Sequence, residues 1–472
     1  MRTRLAALAA AGAVALAGGC GGGDDKAGTP LDEALGYLPR DAAAVVVLET
    51  DPQHAQWKQV NELISRFAIA GQIRQQGKDR IARGPLDFDR DLRPQLGNEL
   101  VAGKPDTGGK RELVLAVKLQ DPERARRDLL PDLGRVGLQA RIDGEMLVAA
   151  STRELLDDAV RQHDADDRLT EDDLEDDLGR LAEGDPLLRA TGNLQKALES
   201  DRAGAATRAV PWLGALRRFA AAGKTTPNGL SVDFDVTTAA VDEAQLPFAP
   251  GAAAPPVPVR EGEIAVAARE PGRTLSLVDR LKDVLPRTKA HAAALNDALK
   301  RIGVDVQRDL IGQLGDVGAV SFPLDSTYVA RAELKDPARF AGTLKKLADE
   351  LPAAARGDIG FTIEPGGGEG FYRLNADRGR QLFVGVVDDQ VALGEEAGRA
   401  RDFAAERSAP VPGARGSVAL SADAESVAAE LIERRASGPL ALLGQVLTDP
   451  LGDLRGWMEA RPTGLTGHAE LE

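Results

Sequence analysis

An internal duplication constrains the fold of this chain more than any other feature. Residues 85–97 read PLDFDRDLRPQLG and residues 303–315 read GVDVQRDLIGQLG, and most of these positions are identical or alike in kind. The flanking segments recur in the same order, with 42–49 matching 263–270, 113–125 matching 328–340, and 229–234 matching 464–469. Chance similarity would not preserve that order. Residues 32–246 and 261–472 are therefore predicted to be two copies of one unit.

The stretch between the two copies has a composition of its own. Residues 247–260 contain Pro247, Pro250, Pro255, Pro256 and Pro258. Proline lacks a backbone donor, breaks a helix, and is confined to the edges and ends of sheets. We therefore predict a proline-rich joint at 247–260.

Residue spacing predicts the first elements of a copy. Residues 43–48 form a short β-branched run, which is typical of a strand. Apolar residues then recur at helical spacing, at Val60, Leu63, Ile64 and Phe67. A second apolar run at 113–119 is followed by Asp121 and Pro122, and this pair favours a helix start because Asp caps the helix and Pro suits its first position.

The rest of the copy predicts a hairpin, a helix and a closing strand. Residues 137–142 and 146–150 flank an Asp-Gly turn, and Thr152 is suited to cap the helix that follows. A strand at 230–236 ends the unit. This order favours an α+β fold with two tandem homologous lobes, each a largely antiparallel sheet with helices packed on it.

The duplicated motif Asp-Leu-x-x-x-Leu-Gly predicts a structural element rather than a site. We expect a single helical turn that starts at Asp91 or Asp309 and ends at Gly97 or Gly315. Its two leucines lie on one face of such a turn, and packing alone explains them.

The N-terminus has the three regions of an export signal. Arg2 and Arg4 make a positive start, residues 5–16 form an uncharged apolar core, and small residues fill 17–19. The apolar core of about 12 residues is shorter than the roughly 20 that cross a bilayer, so a permanent transmembrane helix is disfavoured. Residues 1–19 are therefore predicted to be a cleaved signal peptide.

Cys20, directly after that signal, is the only cysteine in the chain. A lone thiol excludes an internal disulfide and a four-cysteine metal site. The stretch resembles the lipobox of bacterial lipoproteins, in which the cysteine is lipidated and becomes the new N-terminus. It departs from that pattern at Leu16, which lies four residues before the cysteine, where the family usually has leucine three before. We predict lipidation of Cys20; the alternative is an ordinary secretory signal that contains a cysteine.

The expected location follows from this anchor. Residues 20–31 are rich in glycine and polar residues and predict a flexible lipid tether. The chain has 59 Lys and Arg against 74 Asp and Glu, a net charge of −15, and the loss of Arg2 and Arg4 makes it more negative. Nucleic acid is a poor partner at that charge, and attachment to a membrane should depend on the lipid. We expect a cell-envelope protein held at the outer face of the cytoplasmic membrane.

Several of these features together resemble an uncharacterised bacterial family. They are the residues 38–43 before an apolar strand, the Asp91 to Gly97 element, the strand before Asp121-Pro122, and the strand at 144–150 that leads into a helix. The family is catalogued as domain of unknown function 3352 (DUF3352), and the resemblance extends over most of the chain after the signal. It has no assigned catalytic or binding residues, so it implies none here.

No local motif identifies an enzyme. The four histidines, His54, His163, His291 and His468, include no pair at the i, i+4 spacing of a zinc-protease helix. There is no Gly-x-Ser-x-Gly elbow. A triad assembled from dispersed residues stays open, because its members are neighbours only in space.

Three other segments have some features of ligand sites. Gly223-Lys224-Thr225 lacks the earlier glycine of a phosphate loop, since Arg218 stands there, and it follows an apparent helix rather than a strand. The glycine-rich 366–370 is predicted to be a mobile hairpin tip. The acidic run 164–177 departs from a calcium loop at Arg168 and Leu169, and it favours a solvated helix capped by Thr170. None of the three is predicted to bind a ligand.

The sequence thus predicts one site residue, Cys20, as the point of lipidation, and no catalytic residue, cofactor or metal ligand. The hypothesis that fits best is a non-enzymatic envelope protein that binds an unknown ligand or envelope partner. The alternatives are an envelope hydrolase with dispersed site residues and a structural spacer. The oligomeric state stays open.

Overall fold

The computed structural model describes residues 29–67, 71, 75, 86–105, 112–199, 208–258, 262–285, 289–323, 327–355, 359–376, 380–428 and 451–472. Cys20 and the predicted signal peptide lie outside these residues. The chain divides into two compact units, the first from Met1–Ser200 and Arg217–Val236, and the second from Asp201–Leu216 and Thr237–Glu472.

Unit 1 is built on an antiparallel sheet. Its strands are β1 (Ala44–Leu48), β2 (Leu100–Lys104), β3 (Val114–Lys118), β4 (Gln139–Asp143), β5 (Met146–Ala150), β6 (Leu188–Asn193), β7 (Leu216–Thr225) and β8 (Leu230–Thr238). Paired neighbours run in the order β4-β5-β3-β2-β1-β6-β7, and every pair is antiparallel. The hairpin predicted around Asp143-Gly144 is confirmed, with Asp143 opposite Met146.

Helices cover both faces of the unit 1 sheet. They are α1 (Pro30–Leu35), α2 (Ala55–Ser65), α3 (three consecutive helical pieces, Pro122–Arg124, Ala125–Leu129 and Leu130–Arg135), α4 (Arg153–His163), α5 (Glu171–Leu178) and α6 (Leu194–Glu199). Alternate residues of β5 point to opposite faces. Val148 packs in one cluster with α1, α4 and α5, whereas Leu147 packs in another with α2 and α3. The continuous apolar run at 146–150 therefore reflects burial on both sides.

Unit 2 has an antiparallel sheet of the same connectivity. After α7 (Pro211–Ala215) and the two-residue β9 (Val257–Pro258), its strands are β10 (Glu263–Arg269), β11 (Leu314–Pro323), β12 (Val329–Leu334), β13 (Phe361–Pro365), β14 (Phe371–Ala376), β15 (Gln381–Val387), β16 (Gln390–Gly394), β17 (Ser408–Ala409), β18 (Val418–Asp423), β19 (Asp453–Arg461) and β20 (Gly464–Leu471). Leaving aside β9 and β17, which pair with each other, the order is β13-β14-β15-β16-β12-β11-β10-β18-β19-β20. The stretch from β15 to β19 repeats the strand order of unit 1.

The helices of unit 2 are α8 (Pro271–Val284), α9 (Lys289–Arg301), α10 (Pro337–Ala354) and α11 (Ala397–Ala404). Phe340, Leu344 and Leu351 of α10 pack with α9 against Leu334 and Val384 of the sheet. Phe403 of α11 packs in a separate cluster with residues of β10, β11, β12 and β18. The α+β class and the large antiparallel sheet predicted from the sequence are confirmed, while the duplication itself stays a prediction.

Three sequence-based expectations about elements are wrong. The apparent helix before Gly223 is strand β7, so Gly223-Lys224-Thr225 ends a strand. The predicted tether extends too far, because Pro30 and Leu31 already belong to α1 and Leu31 is fully buried. The duplicated motif does not start at Asp91 or Asp309: its helical turns span Phe88–Leu92 and Val306–Leu310, and they begin after Asp87 and Asp305.

Candidate functional site

The duplicated motif forms the same polar arrangement in each unit, which we call the reciprocal aspartate turn (residues 87–91 and 305–309). In unit 1, Asp87 caps the turn, with its Oδ1 accepting the Arg90 amide at 2.8 Å. The carboxylate of Asp91 then accepts the Asp87 amide at 2.7 Å. Each aspartate therefore satisfies a backbone donor next to the other, in the manner of a capping box.

An arginine side chain pairs with the buried carboxylate of this turn. Arg90 donates from Nε and Nη2 to the two carboxylate oxygens of Asp91, at 2.5 and 2.7 Å. Its Nη2 also lies 3.0 Å from Oδ2 of Asp132 in α3. Asp91 and Asp132 are both buried, so the arginine supplies the counter-charge that buried carboxylates require.

Unit 2 reproduces the arrangement at its own positions. Asp305 caps the turn through the Arg308 amide at 2.8 Å, and Asp309 accepts the Asp305 amide at 2.9 Å. Arg308 donates two hydrogen bonds to the Asp309 carboxylate, at 2.9 and 2.6 Å. Arg339, at the start of α10, donates a third at 2.9 Å. Hydrogen bonds from Arg90 and Arg308 hold the pKa of Asp91 and of Asp309, respectively, below the usual range of a carboxyl.

This turn has a structural role, as the sequence predicted. Hydrogen bonds to its aspartates stabilise it in addition to the packing of its leucines. In unit 1 the Gln95 side chain pairs with the Asp121 backbone through two bonds of 3.0 Å, and Asp121 in turn caps α3. The turn thus connects the strand β2 region to the helix that follows β3.

A second group of titratable side chains, which we call the strand-end cluster, comprises Glu49, His54, Glu99, Asp185 and Arg189. Glu49 follows β1 directly, and its amide donates to the Leu187 carbonyl at 3.0 Å. Glu99 precedes β2 and lies 3.3 Å from Arg189 of β6. Because β2, β1 and β6 are neighbours, the sheet register brings these groups to one edge.

His54 is held at both ring nitrogens. Its Nδ1 accepts the Gln56 amide at 3.3 Å and so caps helix α2, and its Nε2 lies 2.6 Å from Oδ2 of Asp185. These partners assign the proton to Nε2, which donates to the carboxylate. Asp185 stands at a φ of 52°, a left-handed conformation that non-glycine residues rarely adopt. His54 therefore links the start of helix α2 to the strained turn at Asp185.

Glu49 is a half-buried carboxyl group in this cluster. Its Oε1 accepts the Asp51 amide at 2.6 Å, and the buried Trp57 indole donates to its backbone carbonyl at 2.8 Å. Burial raises the pKa of Glu49, and the nearby charge of Glu99 raises it further, although the Asp51 amide opposes them. His54 is already engaged at both ring nitrogens and offers no free base to a nucleophile.

No local sequence pattern singles out the strand-end cluster. The sequence shows only that Asp51, Pro52 and His54 lie between a predicted strand and a predicted helix. The pairing with Glu99 and Asp185 depends on strand register, which these positions alone do not give.

The remaining predicted candidates lie in separate places. Cys20 lies outside the described residues. His163 stacks on Tyr37 at a centroid distance of 4.5 Å, His468 stacks on Trp457 at 6.2 Å, and His291 lies in α9. The 366–370 segment joins β13 to β14, which pair antiparallel, so a hairpin tip is confirmed there.

The acidic run forms the capped helix that the sequence predicted. Thr170 Oγ1 accepts the Asp173 amide at 3.2 Å, and the Asp173 carboxylate accepts the Thr170 amide at 3.2 Å. Among the residues that the structure describes, no group of three or more His, Cys, Asp or Glu is arranged to hold a metal ion. Within the same ranges, no helix is both long and apolar enough to cross a membrane.

Comparisons with known proteins give little detail. Crystal form III of TP0453 is similar to this chain at 8% identity and a TM-score of 0.25, covering 44% of this chain and 81% of that one. Crystal form I of TP0453 gives 9% identity and a TM-score of 0.25, covering 46% and 81%. Similarity at this level carries no conclusion. No curated protein matches the chain significantly.

A family model does match: residues 3–130 fit the protein family of unknown function DUF3352, which confirms for that part of the chain the resemblance that its motifs indicated.

Proposed function

We propose that this chain is an exported envelope lipoprotein whose body binds a ligand or partner protein without catalysing a reaction. Residues 1–19 would be removed as a signal peptide, and the lipid on Cys20 would hold the body at the outer face of the cytoplasmic membrane. The observation that carries the proposal is the position of the only thiol of the chain, directly after a charged start, an apolar core and small residues.

The start of the folded body supports this proposal. Helix α1 begins at Pro30, ten positions after Cys20, and Leu31 and Leu35 are fully buried in the main cluster of unit 1. A firm attachment so close to the cysteine leaves only a short stretch between lipid and body. Such a short stretch would keep the body close to a lipid on Cys20.

The anchor is tested by metabolic labelling with a radioactive fatty acid in the native host. We expect label on the wild-type chain and none on Cys20→Ser, with the variant released from the membrane fraction. Equal partitioning of both chains into the membrane fraction, without label, would contradict the anchor.

The binding role is tested on the body itself. We would purify the Cys20→Ser chain from its native host and identify co-purifying molecules by mass spectrometry, which separates a lipid, a glycan and a protein partner. A molecule recovered in fixed stoichiometry supports binding. A body that carries nothing and cleaves a panel of envelope esters or peptides would instead favour a hydrolase.

A further inference from the structure

Strand β4 is the last strand at one end of the unit 1 sheet. Among the pairings between described residues, β4 pairs with β5 alone, from Gln139 opposite Ala150 to Asp143 opposite Met146. Its other side, which we call the open edge, faces no strand in the part of the chain that the structure describes. The backbone groups along such an edge can pair with a further strand. The open edge is therefore a candidate surface for strand addition.

Unit 2 contains the same hairpin with its edge covered. Strands β15 and β16 pair around a two-residue turn, with Val387 opposite Gln390, as β4 and β5 do around theirs. The outer side of β15 pairs with β14 in the antiparallel sense, with Tyr372 opposite Val384. These two side chains pack in one cluster with α9 and α10. The strand that corresponds to β4 in unit 2 thus accepts an antiparallel neighbour.

The turn of the hairpin fixes which backbone groups of β4 face the open edge. Asp143 and Met146 flank a two-residue turn, so they form a pair that exchanges both of its backbone hydrogen bonds. Such pairs alternate along an antiparallel ladder with pairs that make no bonds to each other. The amide and carbonyl groups of Ala140 and Ile142 therefore point away from β5. They are the groups of β4 to which a neighbouring strand can bond.

The side chains of β4 differ between the two faces of the sheet. Ala140 and Ile142 are half-buried and extend the apolar cluster of α2 and α3 to the open edge. Arg141 and Asp143 alternate with them and lie on the other face, where Arg141 Nη2 is 3.2 Å from Asp143 Oδ1. Charges on an edge strand usually discourage pairing. Two opposite charges at this spacing, however, can each meet the other in a second, antiparallel β4.

One antiparallel register of β4 against its own copy satisfies both the backbone and the charges. Centred on Ile142, it places Ile142 opposite its own copy and Arg141 opposite Asp143 twice. A register centred on Arg141 places two arginines opposite each other, and like charges there are destabilising. A register centred on Ala140 needs the Leu138 amide, which already donates to a carbonyl of helix α3 at 3.1 Å.

We propose that the open edge of unit 1 pairs with the open edge of a second copy of this chain, in the register centred on Ile142. The same residues then meet from both sides of a twofold axis, as in other contacts between identical chains. This inference goes beyond the proposed binding role and does not depend on the anchor at Cys20. Because β4 has five residues, the contact is small and the association should be weak.

The test measures self-association of the chain from residue 20 onward, with Cys20→Ser, by sedimentation equilibrium over a range of concentrations. We expect a reversible monomer–dimer equilibrium. Arg141→Glu should weaken the dimer by about tenfold or more, because two opposite-charge pairs become like-charge pairs. Arg141→Glu together with Asp143→Lys exchanges the charges and should restore the dimer. As the matched control, Lys345→Glu reverses an exposed cation of α10 that pairs with Asp349, and it should change nothing.

Cross-linking tests the register itself. In the chain with Cys20→Ser, Ile142→Cys places two thiols opposite each other, with about 5.5 Å between their Cα atoms, which a disulfide can bridge. Ala140→Cys is the matched control, because in this register its two copies lie several residues apart. With oxidised glutathione as the oxidant, we expect a disulfide-linked dimer for Ile142→Cys and none for Ala140→Cys.

Three results would overturn the inference. The first is a chain that stays monomeric up to about 100 μM, at the weak end of specific association. The second is a dimer that Arg141→Glu leaves unchanged, and the third is equal cross-linking of the two cysteine variants. A monomer whose β4 amides are protected from hydrogen exchange only by a co-purified protein would assign the open edge to that protein instead. If Arg141→Glu fails to fold, the charge-exchanged variant and the cross-link still decide.

Discussion

Arg308 and Asp309 are adjacent in the chain and bind each other through two parallel charged bonds, Nε to Oδ1 at 2.9 Å and Nη2 to Oδ2 at 2.6 Å. The same geometry joins Arg90 to Asp91 in the other unit. Adjacent side chains in a regular helix do not face each other. In the irregular turn at 306–310 the two side chains meet, and the Asp309 carboxylate also accepts the Asp305 amide at 2.9 Å.

Replacing Asp309 by asparagine should destabilise unit 2. The amide keeps the volume of the side chain, but it removes the buried negative charge that accepts bonds from Arg308, Arg339 and the Asp305 amide. Hydrogen bonds to charged groups contribute about 1.5–3 kcal/mol, so we expect a loss of about 2 kcal/mol at neutral pH. Urea unfolding followed by hydrogen exchange of unit 2 peptides measures it. Asp297→Asn, an exposed position in α9, is the control and should change little.

The wild type and Asp309→Asn also test how the free energy of unfolding depends on pH. The pKa of Asp309 is lowered in the folded state by Arg308, so the folded protein binds fewer protons here than the unfolded chain. Its stabilisation is therefore fully present above the ordinary pKa of about 3.9 and is lost as pH falls through the lower folded value. The difference between wild type and Asp309→Asn should be constant at neutral pH and shrink below about pH 4. A difference that grows on acidification would contradict this assignment.

Glu49→Gln should stabilise unit 1 at neutral pH. Burial and the nearby Glu99 raise the pKa of Glu49, so its ionised form is less favourable in the folded protein than in the unfolded chain. Glutamine keeps an oxygen for the Asp51 amide and carries no charge. The gain should be near zero below the ordinary pKa of about 4.3, increase as pH rises above it, and level off above the folded value. Thermal unfolding across pH measures it.

The control for this prediction is Glu62→Gln on the exposed side of α2, which should give no pH-dependent gain. If Glu49→Gln instead destabilises unit 1 at neutral pH and this loss disappears on acidification, the side chain is needed as a charged acceptor and the raised pKa does not describe it.

Arg331 has a role that a lysine should fill only in part. Its Nη1 donates to the carbonyls of Phe403, Ala404 and Glu406, at 2.8, 3.1 and 2.5 Å, at the end of helix α11. Its Nη2 donates to Ser408 Oγ at 2.6 Å. Burial lowers the pKa of Arg331, yet the planar guanidinium stays charged and satisfies the last carbonyls of the helix.

We expect Arg331→Met to destabilise unit 2 by about 3 kcal/mol, because it leaves these carbonyls without donors in a partly buried site. Arg331→Lys should recover less than half of the loss, since one ammonium cannot reach the same four acceptors. Hydrogen exchange of the α11 amides checks the location of the effect. Full recovery by lysine would show that charge alone matters there.

Local patterns predicted several elements of unit 1, among them β1, β3 and the hairpin of β4 and β5. The caps Asp121, Thr152 and Thr170 are correct because each depends on one side chain and the next three amides. The sequence places the start of the motif at Asp91 because Asp87 and Asp91 are both plausible caps, and the bond from the Arg90 amide to Asp87 identifies Asp87 as the cap. Strand β7 was mistaken for a helix because its alanine-rich run lacks the period of either structure.

The strand-end cluster shows why sites are harder to predict than elements. His54 lies 131 positions from Asp185, and a ring nitrogen is not among the usual helix caps. Their contact follows from the pairing of β1 with β6, and β6 itself is a weakly apolar strand. Long-range register, rather than any local motif, assembles these groups.

Leu31→Ala should destabilise unit 1 strongly although the residue was expected to lie in a flexible tether. Its side chain is 1% exposed and packs in the main cluster with Leu35, Leu174 and Val148. Truncation of a buried leucine to alanine leaves a cavity and costs about 2–5 kcal/mol. Urea unfolding of unit 1 measures it, and Lys58→Ala on the exposed side of α2 is the control. A loss below about 0.5 kcal/mol, the range of surface substitutions, would place residue 31 in the tether and move the start of the folded body to a later residue.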